Sequence, residues 1–503
     1  VILVHIISEG FLWGGEMLIA RDHEQDQLDA LYKSKSAEFM ALYGRRRIGK
    51  TFLIREWSSG KSAVFLNVTG TKDAPMQEQI RHFLAKVSET FFHGVALRDC
   101  ARWDDAFAQL NSAITHQLPK QRKLIIFFDE LPWMVTARSR LLPVLDYYWN
   151  QYWSQDPRIK LMVCGSSASW IINKIINHKG GLHNRVTHEM HLQPFNLSQV
   201  KLFLKHQKIH LTDRQIVQLY MVTGGVPFYL TKLSRGKSVS QIISTLSFSP
   251  KGFLWDEFDK LFASLFDSPD EYVKLIRYLS ESRTGIGKRA LLEKLGKHAV
   301  GAKGTKMLDD LEKTGFVMCF KPLYNKRRGT YYRLIDEYSY FYLKWIEPVK
   351  SSLNMGDVHS DYWLSVINTP EWHNWLGYAF ESVCYKHLKQ IRSGLGLGPG
   401  ALPSSWRFVP NKSSKQVGAQ IDLLFDRRDD AMTLCEIKYT DKPFVMTKQV
   451  VDNFQQKMQV FAAKTQTTKT LFLALISANG VKDNYYADAL ISQVVTIEHL
   501  FSS

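Results

Sequence analysis

The run Gly44-Arg45-Arg46-Arg47-Ile48-Gly49-Lys50-Thr51 has the spacing GxxxxGKT. In such a loop the backbone N–H groups turn inward on a nucleotide's phosphates, and the N-terminus of the following helix adds a positive field. Lys50 is placed to reach the β- and γ-phosphates, and the Thr51 hydroxyl to ligate Mg²⁺. Further along, the apolar run Leu124-Ile125-Ile126-Phe127-Phe128 ends at Asp129-Glu130. A carboxylate at such a strand tip holds Mg²⁺ through water, which assigns Asp129, and the next one polarises the attacking water as general base, which assigns Glu130. A third apolar run from Ile159 ends at Gly165-Ser166-Ser167, where Ser166 or Ser167 is expected to sense the γ-phosphate. Arg185 is a candidate finger toward a neighbouring copy's γ-phosphate, with a surface ion pair as the alternative. These residues predict ATP and Mg²⁺ as cofactors.

A second set of chemical residues lies in the C-terminal third. Asp422 sits in the strand-like run Gln420–Phe425, and Met432–Lys438 carries Glu436 and Lys438 two residues apart. Alternation along a strand puts Glu436 and Lys438 on one face and Cys435 and Ile437 on the other. Asp422 and Glu436 are expected to chelate Mg²⁺ with help from Glu381, which is read as lying near the start of a helix. Lys438 is expected to orient or activate the attacking water. An edge strand of alternating charge is the plainer reading of the same ExK run.

The elements that must position these groups follow from periodicity. Glu38–Tyr43 reads as the strand before the phosphate loop and Phe52–Trp57 as the helix after it, the context that the motif requires. Residues 17–195 are expected to form the nucleotide-binding core and 196–267 a helical lid broken at Thr223-Gly224-Gly225-Val226-Pro227. In 268–350, three helices precede two strands that flank Asn325-Lys326-Arg327-Arg328-Gly329, the order of a winged helix. There Lys303, Thr305 and Lys306 would start the recognition helix, and Lys326, Arg327 and Arg328 would contact phosphates from the wing. A winged helix serving only as a spacer is the alternative. Residues 361–503 complete the chain as a mixed α/β domain.

The chain has 503 residues and a net charge of +17, from 65 Lys and Arg against 48 Asp and Glu. That balance favours a polyanionic partner, most simply DNA. No apolar run approaches the roughly 18 residues of a membrane-spanning helix, so no membrane partner is expected. The five cysteines form no CxxC pair, consistent with free thiols and a cytoplasmic setting. The first sixteen residues lack a basic n-region and are expected to be a non-native leader, with synthesis starting at Met17.

In their order, Tyr43–Thr51, Phe128-Asp129-Glu130, Cys164–Ser167, Gly224–Leu230, Tyr332–Asp336, Phe380-Glu381, Ile421-Asp422-Leu423 and Cys435–Lys438 resemble a known family. It comprises ATPases, abundant in archaea and scattered in bacteria, that join a AAA+/STAND-type P-loop domain to a C-terminal PD-(D/E)xK nuclease-like domain. The resemblance implies a restriction-endonuclease-like C-terminal domain. Gln420 departs from it, since some relatives of that nuclease fold carry a second acid there, and the lid shows no separate sensor arginine. The expected protein is therefore an α/β multidomain ATPase, with homo-oligomerisation open, that couples nucleotide state to DNA binding and Mg²⁺-dependent cleavage. The alternative is an ATP-switched DNA-binding regulator that keeps the nuclease fold as a scaffold.

Overall fold

A computed structural model describes residues 18–136, 138–177, 184–249, 252–282, 284–323, 329–353, 359–410 and 416–502, without the side chains of 351–361. The expected leader 1–16 and the wing residues Lys326, Arg327 and Arg328 lie outside the described residues. The chain divides into two compact units. The first comprises Val1–Leu42, Gly49–Cys164 and His178–Met190, and the second Tyr43–Ile48, Gly165–Asn177 and His191–Ser503.

The N-terminal sheet has five strands, β1 (Glu38–Tyr43), β2 (Ala63–Thr69), β3 (Lys123–Asp129), β4 (Ile159–Gly165) and β5 (His188–His191), in the order β2-β3-β4-β1-β5. The pairs β2–β3 and β3–β4 are parallel, and Thr69 faces Asp129. Every residue of β4 is buried, as is all of β3 after Lys123, which is why these strands read as unbroken apolar runs rather than alternating ones. The helices Met76–Phe91 and Trp103–Gln117 supply Phe83 and Phe107, whose rings lie 5.4 Å apart and stack on Phe128 at centroid spacings of 6.2 and 6.1 Å. Aromatic burial of this kind contributes about 2 kcal/mol or more per ring and anchors β3 at Phe128, one residue before Asp129 at its end.

In the second unit the elements described after β5 are helices, from Leu197–His206 to Glu257–Leu265. Three of these helices open with capping boxes, Asn196 with Gln199, Thr212 with Gln215, and Ser238 with Gln241. Each box satisfies two otherwise unpaired N–H groups. The expected break is present: Gly224, with φ +61°, ends the helix Asp213–Thr223, and Pro227 starts the next. The helices Pro269–Ser280, Lys288–Leu295 and Ala302–Lys313 follow. With them runs a small antiparallel sheet of β6 (Ile286–Gly287), β7 (Val317–Phe320) and β8 (Tyr331–Leu334), ordered β6-β8-β7.

The C-terminal sheet contains β9 (Leu402–Phe408), β10 (Ala419–Asp426), β11 (Ala431–Lys438), β12 (Thr470–Ser477) and β13 (Ile491–Val495), in the order β13-β12-β11-β10-β9. Its first three strands are antiparallel, and β11, β12 and β13 are parallel. The parallel β11–β12 pair needs a crossover, supplied by the helix Lys448–Thr465, whose Phe454 and Phe461 pack with Trp406, Leu424 and Leu434. Glu381 is not near the start of its helix. That helix begins at Pro370 under a Thr369 cap, so Glu381 lies in its C-terminal third. The apolar pattern from Leu376 onward hid the earlier turn, where Trp372 and Trp375 stack at 4.9 Å.

Candidate functional site: two carboxylate centres

The phosphate loop leaves β1 and enters the helix Lys50–Ser59 through Gly49, whose φ of +89° is open to glycine at little strain. Lys50 is buried, and Thr51 Oγ1 donates to Asp129 Oδ2 at 2.8 Å. The other carboxylate oxygen of Asp129 is buried and meets no N–H or O–H donor, and the buried Cys164 thiol is a neighbour of the carboxylate. Burial, and then the charge of Glu130, push the Asp129 carboxyl up to about 6, against the Thr51 hydroxyl and the Lys50 ammonium. A buried, reluctantly ionised carboxylate beside a threonine hydroxyl suits a hard divalent cation, so these residues fit Mg²⁺. Glu130 follows at φ +48°, ψ +47°, a left-handed conformation that a non-glycine residue holds only where its surroundings impose it. Gly70 makes room for that backbone, since a Cβ there would lie 2.5 Å from the Glu130 carbonyl oxygen.

Arg45 and Arg47 use their side chains elsewhere. The buried Arg45 guanidinium pairs with Asp336 and lies 5.0 Å from the centroid of the Phe316 ring. Arg47 Nε donates to Glu257 at 2.5 Å, between the rings of Phe228 and Phe253 at 4.6 and 4.8 Å. What these two arginines can offer a phosphate is therefore backbone N–H. Arg46 is half-buried, and Gly44, Ile48 and Ser166 are buried. Arg185 is exposed in the turn before β5.

The second centre is a cleft of about 580 Å³ lined by Glu381, Gln420, Asp422, Glu436, Lys438 and Lys457, with Arg407 and Tyr378 among its other walls. The antiparallel register Leu423↔Cys435 sets Asp422 opposite Glu436 one step further along. Gln420 Nε2 donates to Asp422 Oδ1 at 3.1 Å. Burial raises the Asp422 carboxyl to about 7, reinforced by Glu436 and Glu381 and opposed by Lys438 and Lys457. Burial alone would lower the Lys438 ammonium, but Glu436, Asp422 and Glu381 carry it above its ordinary value. It donates to Glu436 Oε1 at 2.9 Å.

Two cationic partners here were not read from the sequence. Lys457 bridges both oxygens of Glu436 at 2.7 and 3.0 Å, and Arg333 Nη2 donates to Glu381 Oε2 at 2.5 Å. Lys457 falls at i+3 between Phe454 and Phe461, a lysine in the apolar stripe of its helix, and that was its signal. Arg333 is likewise a charge at a buried position of β8.

The expected three-carboxylate cation site is not assembled. Among the described residues no group of three or more His, Cys, Asp and Glu side chains could hold a metal ion. The physical reason is that Arg333 takes the Glu381 carboxylate. Asp422 and Glu436 alone remain as a facing pair, and one or two carboxylates with water suffice for Mg²⁺, so that pair fits the ion. The expected phosphate contact Lys303 is paired with Glu271 at 2.6 Å, whereas Lys306 is exposed.

Among the described residues no helix is long and apolar enough to cross a membrane. Residues 18–233 match the family described as an ATPase domain predominantly from Archaea. The chain is 24% identical over 447 residues to an uncharacterized protein of Methanocaldococcus jannaschii, covering 84% of this chain and 88% of that one. Among solved structures it is similar to a Walker-type ATPase of Pyrococcus abyssi, at 17% identity and a TM-score of 0.44 over 65% of this chain and 96% of that one. It is also similar to the ORC2 protein of Aeropyrum pernix in ADPNP–ADP complexes, at 14% identity and a TM-score of 0.42 over 67% and 95%. With the loop, Lys50, Thr51 and Asp129 arranged as described, residues 18–233 are an ATPase domain of the archaeal type.

Proposed function

We propose that this protein hydrolyses ATP with Mg²⁺ at the phosphate loop and couples its nucleotide state to DNA binding and Mg²⁺-dependent DNA cleavage in the C-terminal cleft. In the ATPase domain Lys50 and the loop amides bind the phosphates, Thr51 and Asp129 hold the cation, and Glu130 draws a proton from the attacking water. Ser166 reads the γ-phosphate, and Arg185 reaches a neighbouring copy. The segment 268–350 acts as a winged helix, with Lys306 and the basic run 326–328 on DNA phosphates.

In the cleft, Asp422 and Glu436 would hold Mg²⁺, which when bound supplies Lewis acidity at the scissile phosphate. Lys438, two residues along from Glu436 on the same face of β11, orients the water. Gln420 keeps the Asp422 carboxylate turned into the cleft through its amide. The observation that carries this reading is the convergence of Asp422, Glu436 and Lys438 on one concave surface, with Asp422 driven up to about 7. Stability alone gives little reason to gather such charges.

A supercoiled plasmid tests it. Wild-type protein with Mg²⁺ and ATP should nick the plasmid, and Asp422→Ala should not, while still hydrolysing ATP. Nicking by both proteins, or by neither on single-stranded, duplex and branched DNA, contradicts the cleavage reading. A second reading has its own observation: the carboxylates of Glu381, Asp422 and Glu436 each already have a protein partner. It makes the chain an ATP-switched DNA-binding regulator whose C-terminal domain is a scaffold.

A further inference from the structure

Three ion pairs, two of them buried on both sides and the third on its carboxylate side, lie along one short run of chain in the second unit. Arg333, on β8, donates to Glu381 at 2.5 Å, and both residues are buried. Three residues on, the fully buried Asp336 receives the Arg45 guanidinium from the phosphate loop. Its second oxygen caps the next helix through Ser339 N at 2.9 Å. The adjacent Glu337 receives Nζ of Lys386 at 2.5 Å, from the last turn of the helix Pro370–Lys386 that carries Glu381. Residues 333–337 are thus tied on one side to the nucleotide loop and, at two points, to the helix bearing a cleft carboxylate.

Each tie has a chemical competitor. Glu381 lines the same cleft as Asp422 and Glu436, yet one oxygen of its carboxylate is held by a guanidinium, whose positive charge competes with a divalent cation for the group. Arg45 belongs to a loop whose backbone closes on phosphates, so nucleotide binding acts on it directly. A buried pair broken on one side alone leaves an uncompensated charge, so Arg45 and Asp336 move together or exchange partners together. Packed ion pairs of this kind switch between discrete arrangements rather than deforming smoothly.

We infer that Arg333 is a positioning residue that withholds Glu381 from the Asp422–Glu436 pair, and that nucleotide in the loop, acting through Arg45 and Asp336, shifts the end of β8 and frees Glu381 to complete a cation site. This rests on the reading of the cleft as a metal-dependent nuclease centre. Coupling of this form is reciprocal, so a cation in the cleft also tightens nucleotide binding.

Mn²⁺ titration of the full chain by calorimetry, with and without a non-hydrolysable ATP analogue, tests it; subtracting the same titrations of Asp422→Asn isolates the cleft. The Asp422-dependent affinity should rise about tenfold with nucleotide. Arg333→Met should reach the higher affinity without nucleotide, Arg333→Lys should keep part of the response, and Asp336→Asn should lose it. Hydrogen exchange on the unaltered protein decides the matter even if a variant fails to fold. Nucleotide should change exchange in 331–337 and 370–386, and Lys50→Ala should abolish that change. Equal Asp422-dependent affinities in both nucleotide states, with exchange unchanged in those segments, overturn the inference. Nucleotide-dependent exchange with no Asp422-dependent Mn²⁺ overturns it too, and locates the failure in the metal reading of the cleft.

Discussion

The two carboxylate centres solve the same electrostatic problem in opposite ways. At the end of β3, Asp129 keeps one oxygen buried with no N–H or O–H donor, with the Lys50 charge acting on it and a threonine hydroxyl on its other oxygen. In the C-terminal cleft, Glu436 takes two lysines, Glu381 takes an arginine, and Asp422 takes an amide. The first centre is incomplete without a cation; the second has neutralised itself with its own side chains. A site of the first kind announces its ligand by what it lacks. A site of the second kind must lose protein contacts before it gains a metal, and that loss is a place for control.

The largest effects should fall on the first centre, which has no internal substitute for its ligand. Lys50→Ala should abolish nucleotide binding in a fluorescent-nucleotide titration. Glu130→Gln should bind normally and hydrolyse ATP at least about a hundredfold more slowly in a phosphate-release assay. Hydrolysis at the parent rate would show that Glu130 is not the base.

The next effect sharpens the contrast. Lys457→Met removes one of the two cations on the buried Glu436, and should lower stability by about 2 kcal/mol, less than for a fully buried pair because Lys457 is part-exposed. Added Mn²⁺ should restore more of that loss than it adds to the parent, measured as the shift in melting temperature. Equal shifts in both proteins would mean that Lys457 does not stand in for a cation.

Asp422 gives a pH test with a definite sign. Its folded pKa of about 7 lies above the ordinary aspartate value, so ionising it costs the metal-free fold stability above pH 7. That cost fades as pH falls through 7 toward 4. Asp422→Asn should therefore be more stable than the parent at pH 8, by on the order of 2 kcal/mol, and the gap should close toward pH 5. A gap independent of pH would point to packing instead. The smallest expected effect is at Lys303, whose exposed pair with Glu271 is screened by solvent. Lys303→Ala should change melting little and should reduce the salt dependence of DNA binding by no more than about one phosphate contact.

Legibility in the sequence followed locality. The phosphate loop, Asp129 and the strands around them are contiguous segments whose periodicity and turn residues act within a few positions. The same holds for the break at Gly224 and Pro227, where φ > 0 and the missing N–H are local demands. Asp422, Glu436 and Lys438 were legible because strand alternation is also local. The partners Arg333, Asp336 and Lys457 were not, because each is chosen across 21 residues or more of chain. The helix of Glu381 was misjudged for a related reason: Thr369 and Pro370 carry a start signal, but the tryptophans after them read as apolar filler until their stacking is seen.

The most direct measurement counts Mn²⁺ ions by electron paramagnetic resonance on the full chain with a non-hydrolysable ATP analogue. Two sites are expected, one lost in Asp129→Asn and the other in Asp422→Asn, each variant keeping the site that the other loses. A single site, lost in Asp129→Asn and untouched in Asp422→Asn, would contradict it and leave the C-terminal domain a scaffold.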